Sequence, residues 1–140
     1  MVEINYIAVL LAALAAMVVG SVWYTPAVFG KAWMRLANIK PNQKINGTQM
    51  AKLYGVAFVG VLVTAYVLAH VAYLSNQFFG STFMQDALTT GFWLWLGFIA
   101  ARMLMHDMFE GRPGKLTFLN ISHEFVTVMV MALIIGAIGV

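Results

Sequence analysis

The sequence has 140 residues, of which 62% are hydrophobic and 9% charged, and its formal net charge is +3. Because charged residues make up about a quarter of an ordinary globular protein, this composition excludes a water-covered domain and predicts an all-α integral membrane protein, folded as one transmembrane domain over residues 1–140. The chain has no cysteine, which excludes disulfides, thiol catalysis and iron–sulfur clusters. Its basic residues lie in loops between apolar runs, which indicates membrane orientation and not nucleic-acid binding.

Four apolar runs predict a bundle of four transmembrane helices. They cover about residues 4–24, 50–74, 85–109 and 116–138. Each run has about 20 residues or more, and an α-helix of that length is ~30 Å long, enough to cross the bilayer core. The lipid bilayer is therefore the first partner that the sequence predicts.

A short helix in the membrane interface is predicted after the first span, over residues 28–36. A proline at position 26 disfavours helix at the residue before it and ends the first span. The segment that follows places Trp33 between the basic Lys31 and Arg35. Aromatic and basic residues mixed in this way are typical of a helix that lies in the plane of the interface.

The loops differ strongly in charge, and this difference predicts their orientation. Seven basic residues fall in the first and third connections, and none falls in the second connection or at the termini. They are Lys31, Arg35, Lys40, Lys44, Lys52, Arg112 and Lys115. Because basic loops stay on the cytoplasmic side, we expect both of these connections in the cytoplasm and both termini outside it.

A stripe of small residues follows the first helix at four-residue spacing. It consists of Ala8, Ala12, Ala16 and Gly20. Small residues allow two membrane helices to approach closely, so that dispersion contacts hold them together. The stripe has two interpretations: packing within the monomer, or the seam of a homodimer or higher homo-oligomer.

The third and fourth helices each carry polar residues near their cytoplasmic ends. On the third helix, Arg102, His106 and Glu110 follow one another at four-residue steps, within about 80° of arc. On the fourth helix, the polar residues within about 100° of arc are Asn120, His123, Glu124 and Thr127. The sequence therefore predicts two polar stripes that face each other.

The turn between these helices predicts which polar residues meet. If the helices pair antiparallel across the glycine- and proline-rich turn at 111–114, Arg102 is level with Glu124. A lone charge at this depth costs at least ~2–3 kcal/mol on insertion scales. We therefore expect an ion pair between Arg102 and Glu124, and we expect Arg102→Ala to destabilise the protein.

The same cluster permits three functional hypotheses. The first is a binding or scaffold module in which the cluster holds the helices together. The second is an oligomeric ion or proton channel or transporter, since intramembrane ionisable residues often mark such paths. The third is a metal-dependent membrane enzyme, because imidazole and carboxylate bind zinc, iron or manganese. Its candidate ligands are His106, Glu110, His123 and Glu124.

No other cofactor is predicted, and an enzyme is the less favoured class. A phosphate-binding loop, a nucleophile elbow and a dinucleotide fingerprint are all missing from the sequence. A haem would need axial ligands at matched depth, whereas the two candidate histidines differ by ~4.5 Å in depth. No catalytic residue is therefore assigned.

Several motifs together resemble a known family. They are Trp23-Tyr24-Thr25-Pro26, Phe29-Gly30-Lys31, Gly91-Phe92-Trp93-Leu94-Trp95 and Phe109-Glu110-Gly111-Arg112-Pro113. The set resembles the family of small bacterial membrane proteins known as domain of unknown function 1761, over nearly the whole chain. The resemblance implies a four-span protein of the bacterial inner membrane. It implies no activity and no catalytic residues.

Overall fold

Five helices make up the computed structural model, which describes residues 2–40 and 46–139. They are α1 (Tyr6–Trp23), α2 (Gly30–Leu36), α3 (Gly47–Phe79), α4 (Phe83–Phe109) and α5 (Gly114–Ile138). All except α2 are long and apolar enough to cross a membrane, and the described residues contain no β-strand. The predicted four-helix bundle with one short helix after the first span is confirmed. Lys44, one of the basic residues of the first connection, lies outside the described residues.

Side-chain caps fix the beginnings of α1 and α3. Oδ1 of Asn5 accepts hydrogen bonds from the backbone N–H groups of Ile7 and Ala8, so α1 begins at Tyr6. Asn46 and Gln49 form a reciprocal capping box at the start of α3. As a result, α3 begins three residues earlier than the sequence predicted.

The stripe of small residues on α1 packs within the chain. Ala8, Ala12 and Ala16 are at most 3% exposed, and α1 packs against both α3 and α5. Small side chains let the three helices approach closely. Packing within the monomer therefore uses this stripe. The homodimer or higher homo-oligomer through the stripe stays a prediction.

One turn of π-helix, Trp95–Ala100, interrupts α4. A π turn holds one residue more than an α turn, so it moves every later side chain around the helix. If α4 continued from the buried Gly91 at 3.6 residues per turn, without the π turn, Arg102 would lie on its inward face. In the structure Arg102 is exposed, while Met103 is half-buried and Asp107 buried. The inward face after the π turn is displaced by one residue.

The first part of α3 is separated from the bundle. With 33 residues, α3 is about 50 Å long, which exceeds the ~30 Å bilayer core. Residues 47–57 are all exposed, whereas Ala65, Leu68 and Ala69 in the second half are buried. A space therefore remains between the beginning of α3, the end of α1 and the neighbouring part of α5.

Candidate functional site at the basic end of the bundle

One end of the bundle, which we call the basic end, contains the end of α1, the beginnings of α3 and α5, and the end of α4. The basic residues described there are all exposed. They are Lys31, Arg35, Lys40, Lys52, Arg112 and Lys115. The candidate site lies just inside this end.

The predicted ion pair between Arg102 and Glu124 is not formed. Arg102 is exposed, and the carboxylate of Glu124 instead contacts the imidazole of its neighbour His123. The physical reason is the π turn, which rotates Arg102 away from α5. His106 is exposed for the same reason.

Asp107 takes the inward position that the sequence assigned to His106. The residue is 7% exposed, and Oδ2 accepts a 2.7 Å hydrogen bond from the hydroxyl of Thr117 on α5. Nε of Arg112 lies 3.7 Å from Oδ1 of Asp107 and donates a 2.7 Å hydrogen bond to Glu110. These contacts close the hairpin, so Glu110 belongs to the turn and not to the cluster on α5.

A tight loop after α1 places Tyr24 against α5. The backbone N–H of Gly30 donates a 2.8 Å hydrogen bond to the carbonyl oxygen of Thr25, and the N–H of Phe29 donates to the carbonyl of Trp23. A Cβ atom at Gly30 would overlap the carbonyl oxygen of Tyr24 and the backbone of Thr25. Only glycine fits at this position, because it has no Cβ.

Tyr24 contacts two of the polar residues predicted on α5. Its hydroxyl donates a 3.3 Å hydrogen bond to Oδ1 of Asn120, and its ring centroid lies 4.9 Å from that of His123. Tyr24 lies just beyond the last residue of α1, and burial, with a smaller contribution from the charge of Glu124, raises its pKa to about 12. The phenol therefore keeps its proton at physiological pH and acts as the hydrogen-bond donor to Asn120.

His123 is held by hydrogen bonds on both ring nitrogens. Nδ1 lies 3.2 Å from Oε1 of Glu124, and Nε2 lies 3.4 Å from the hydroxyl of Thr127. A neutral imidazole with its proton on Nδ1 satisfies both contacts. The side chain of His123 is 12% exposed and that of Glu124 is 33% exposed, so the carboxylate is the more accessible member of the pair.

These side chains line a pocket of about 520 Å³ between α1, α3 and α5. Its apolar wall includes Ala16 and Met17 of α1 and Val61 of α3. Its polar wall includes Tyr24, Tyr54, His123 and Glu124. A cavity of this size, mostly apolar with a few converging polar groups, is typical of a small-molecule site.

The structure does not bring the four predicted metal ligands together. His123 and Glu124 face the pocket, while His106 is exposed on α4 and Glu110 is paired with Arg112. Within residues 2–40 and 46–139, no group of three or more His, Cys, Asp or Glu side chains is arranged to hold a metal ion.

A model of the DUF1761 family, described as "protein of unknown function", matches residues 7–136. The chain belongs to this family. The match covers both the end of α1 and the polar part of α5, so the DUF1761 region includes every described residue of the pocket. Neither the curated proteins nor the solved structures gave a match to the chain.

The sequence identified the polar residues of α5 but missed the aromatic half of the site. Tyr24 and Tyr54 were not among the candidates, although the motif that begins at Trp23 was noted for its resemblance to the family. The useful signal was the dense run of aromatic residues around Pro26 and Gly30, which predicts a fixed loop.

Proposed function

We propose that this protein is a membrane-embedded binding module whose pocket at the basic end takes a small amphipathic molecule. The observation that carries this proposal is the pocket of about 520 Å³ in which His123 and Glu124 face an apolar wall. Ligand cavities in proteins commonly measure about 300–1,000 Å³ and combine an apolar lining with a few polar groups.

The position of the pocket supports an amphipathic ligand in particular. Ala16 and Val61 lie on its apolar side, deeper in the bundle, and accommodate a hydrocarbon or aromatic body. Ser21, Tyr24 and Thr25 lie near the basic end and form part of the polar side of the lining. A molecule that partitions into the bilayer headgroup region carries the same two kinds of surface.

The exposed beginning of α3 supports entry of the ligand from the side. Tyr54 lines the pocket and is 52% exposed, so the pocket opens along α3. Residues 47–57 of α3 are all exposed, so the described part of the chain leaves this side of the pocket uncovered. Lateral entry would let a ligand pass from the bilayer to the site.

We further propose the orientation that the charges favour: the basic end in the cytoplasm of a bacterial cell, and both termini on the outer side of its inner membrane. The proposal rests on the excess of Lys and Arg at the basic end. It is tested with a membrane-impermeant maleimide on intact cells. Gln77→Cys should be labelled and Lys40→Cys should be protected, and the reverse pattern would contradict the orientation.

The binding proposal is tested by ligand protection of an introduced cysteine. The chain has no native cysteine, so Ser21→Cys places a single thiol in the pocket and Ser122→Cys places one outside it. With the full chain in lipid nanodiscs, benzyl alcohol or benzyltrimethylammonium should slow maleimide labelling of Ser21→Cys in a saturable way. Labelling of Ser122→Cys should stay constant. If neither probe slows labelling at Ser21→Cys, the pocket is not a binding site.

The hypotheses of an oligomeric ion or proton channel and of a metal-dependent enzyme stay predictions from the sequence. The polar side chains of the site converge on a pocket beside α3. That arrangement supports binding in preference to either alternative.

A further inference from the structure

We infer that the ligand of this pocket is an organic cation, namely an amine or quaternary ammonium attached to an apolar body, with Glu124 as its counter-ion. This inference rests on the proposed binding function and specifies the chemical class of ligand.

The charges of the pocket point to a cation. Glu124 is an acidic residue with no Lys or Arg beside it among the described residues that line the pocket. The one hydrogen bond of its carboxylate within the described chain is the contact between Oε1 and Nδ1 of His123. A carboxylate in a largely apolar site is costly unless it is paired. A bound cation would supply the charge that neutral His123 lacks.

The aromatic residues of the pocket point to the same class. The rings of Tyr24 and Tyr54 both line the cavity that Glu124 faces. Tyr24 is fixed by Trp33, whose ring centroid is 5.2 Å away, and by its bond to Asn120. Aromatic rings attract ammonium groups through their quadrupole, most strongly where water is excluded. A carboxylate beside tyrosine rings is therefore suited to an organic cation.

The basic end does not change this assignment. Lys31 and Arg35 are exposed on α2, and neither lines the pocket. On α3, Lys52 is exposed two residues before Tyr54, and it also lies outside the lining. An anion would be attracted to these surface groups, and it would meet the like charge of Glu124 inside the pocket.

The test is calorimetric titration of the full chain in nanodiscs with benzyltrimethylammonium, benzyl alcohol and benzenesulfonate. We expect the cation to bind at least tenfold more tightly than the other two probes. Glu124→Gln should weaken cation binding at least tenfold and leave the affinity for benzyl alcohol unchanged. The matched control Glu110→Gln removes a carboxylate that lies in the turn, outside the pocket lining, and should change neither affinity.

A second variant keeps the inference testable if Glu124→Gln does not fold. Tyr54→Ala alters an exposed side chain on α3 and should weaken cation binding severalfold without affecting stability. Equal affinity for the cation and the alcohol, or no effect of either pocket variant on cation binding, would overturn the cation assignment while the pocket remains a binding site. Absence of binding by all three probes would overturn the binding function itself.

Discussion

The hydroxyl of Thr117 donates a 2.7 Å hydrogen bond to Oδ2 of Asp107 across the antiparallel pair formed by α4 and α5. Both residues are buried, at 3% and 7% exposure. A buried carboxylate requires hydrogen-bond donors, and Thr117 is the donor that the opposite helix provides. This contact therefore fixes the register of the hairpin that carries His123 and Glu124.

Thr117→Val should destabilise the protein by about 1–3 kcal/mol, because it preserves side-chain shape while leaving part of a buried carboxylate without its donor. The measurement is the free energy of unfolding in mixed detergent micelles. Thr64→Val is the matched control, since the hydroxyl of Thr64 bonds only to the carbonyl of Gly60 on its own helix. Equal effects of the two substitutions would contradict the role given to Thr117.

Gly30→Ala should displace Tyr24 from α5 and lower stability by about 1–3 kcal/mol, because the added Cβ overlaps the backbone of the loop. Both thermal unfolding and affinity for the pocket probes should change. At Gly60 an added Cβ meets no atom within 4 Å. Gly60→Ala should therefore be neutral or stabilising by up to ~1 kcal/mol, and a comparable loss at both positions would argue against the loop geometry.

Gly136→Ala should weaken the packing between α4 and α5 far from the site. An added Cβ would lie 3.0 Å from the Cα of Met84 and 3.3 Å from the Cβ of Ala87, so a backbone must shift, at a cost of about 1–3 kcal/mol. The control is Gly55→Ala, where the added atom meets open space. The free energy of unfolding should be lower for Gly136→Ala than for Gly55→Ala. The folded fraction of each variant should bind the pocket probes with the same affinity as the wild type.

Arg102→Ala should leave the free energy of unfolding within about 0.5 kcal/mol of wild type, since an exposed side chain without a specific partner contributes little. Arg112→Ala removes a partly exposed guanidinium that contacts Asp107 and Glu110, and it should cost up to ~1 kcal/mol. If Arg102→Ala alone lowered the free energy of unfolding by more than ~2 kcal/mol, the result would support the ion pair with Glu124 that the sequence predicted.

Much of the fold could be predicted from the sequence because length and hydropathy are strong signals in a membrane protein. The four long apolar helices and the short helix after the proline are confirmed. Hydropathy does not, however, report how far a helix continues beyond the apolar run. The 33-residue length of α3, which creates the opening of the pocket, was therefore missed.

The candidate site was predicted only in part, and the π turn explains the error. Periodicity of 3.6 residues assigned Arg102 and His106 to the inward face of α4, but one extra residue in the turn Trp95–Ala100 displaced them. On α5, Asn120 and His123 contact Tyr24, and Glu124 lines the pocket between α1, α3 and α5. This polar stripe therefore faces the end of α1, whereas the sequence predicted that it faces α4. Tyr24 was missed because its approach to α5 depends on a loop that closes only with Gly30.

The most direct test of the binding site is a crystal structure of the full chain with 4-bromobenzyltrimethylammonium, using the anomalous signal of bromine to locate the ligand. We expect a bromine peak between α1, α3 and α5, with the ammonium group beside Glu124 and Tyr24. A bromine peak elsewhere, or the beginning of α3 packed against α5 with the pocket filled by protein side chains, would contradict the account.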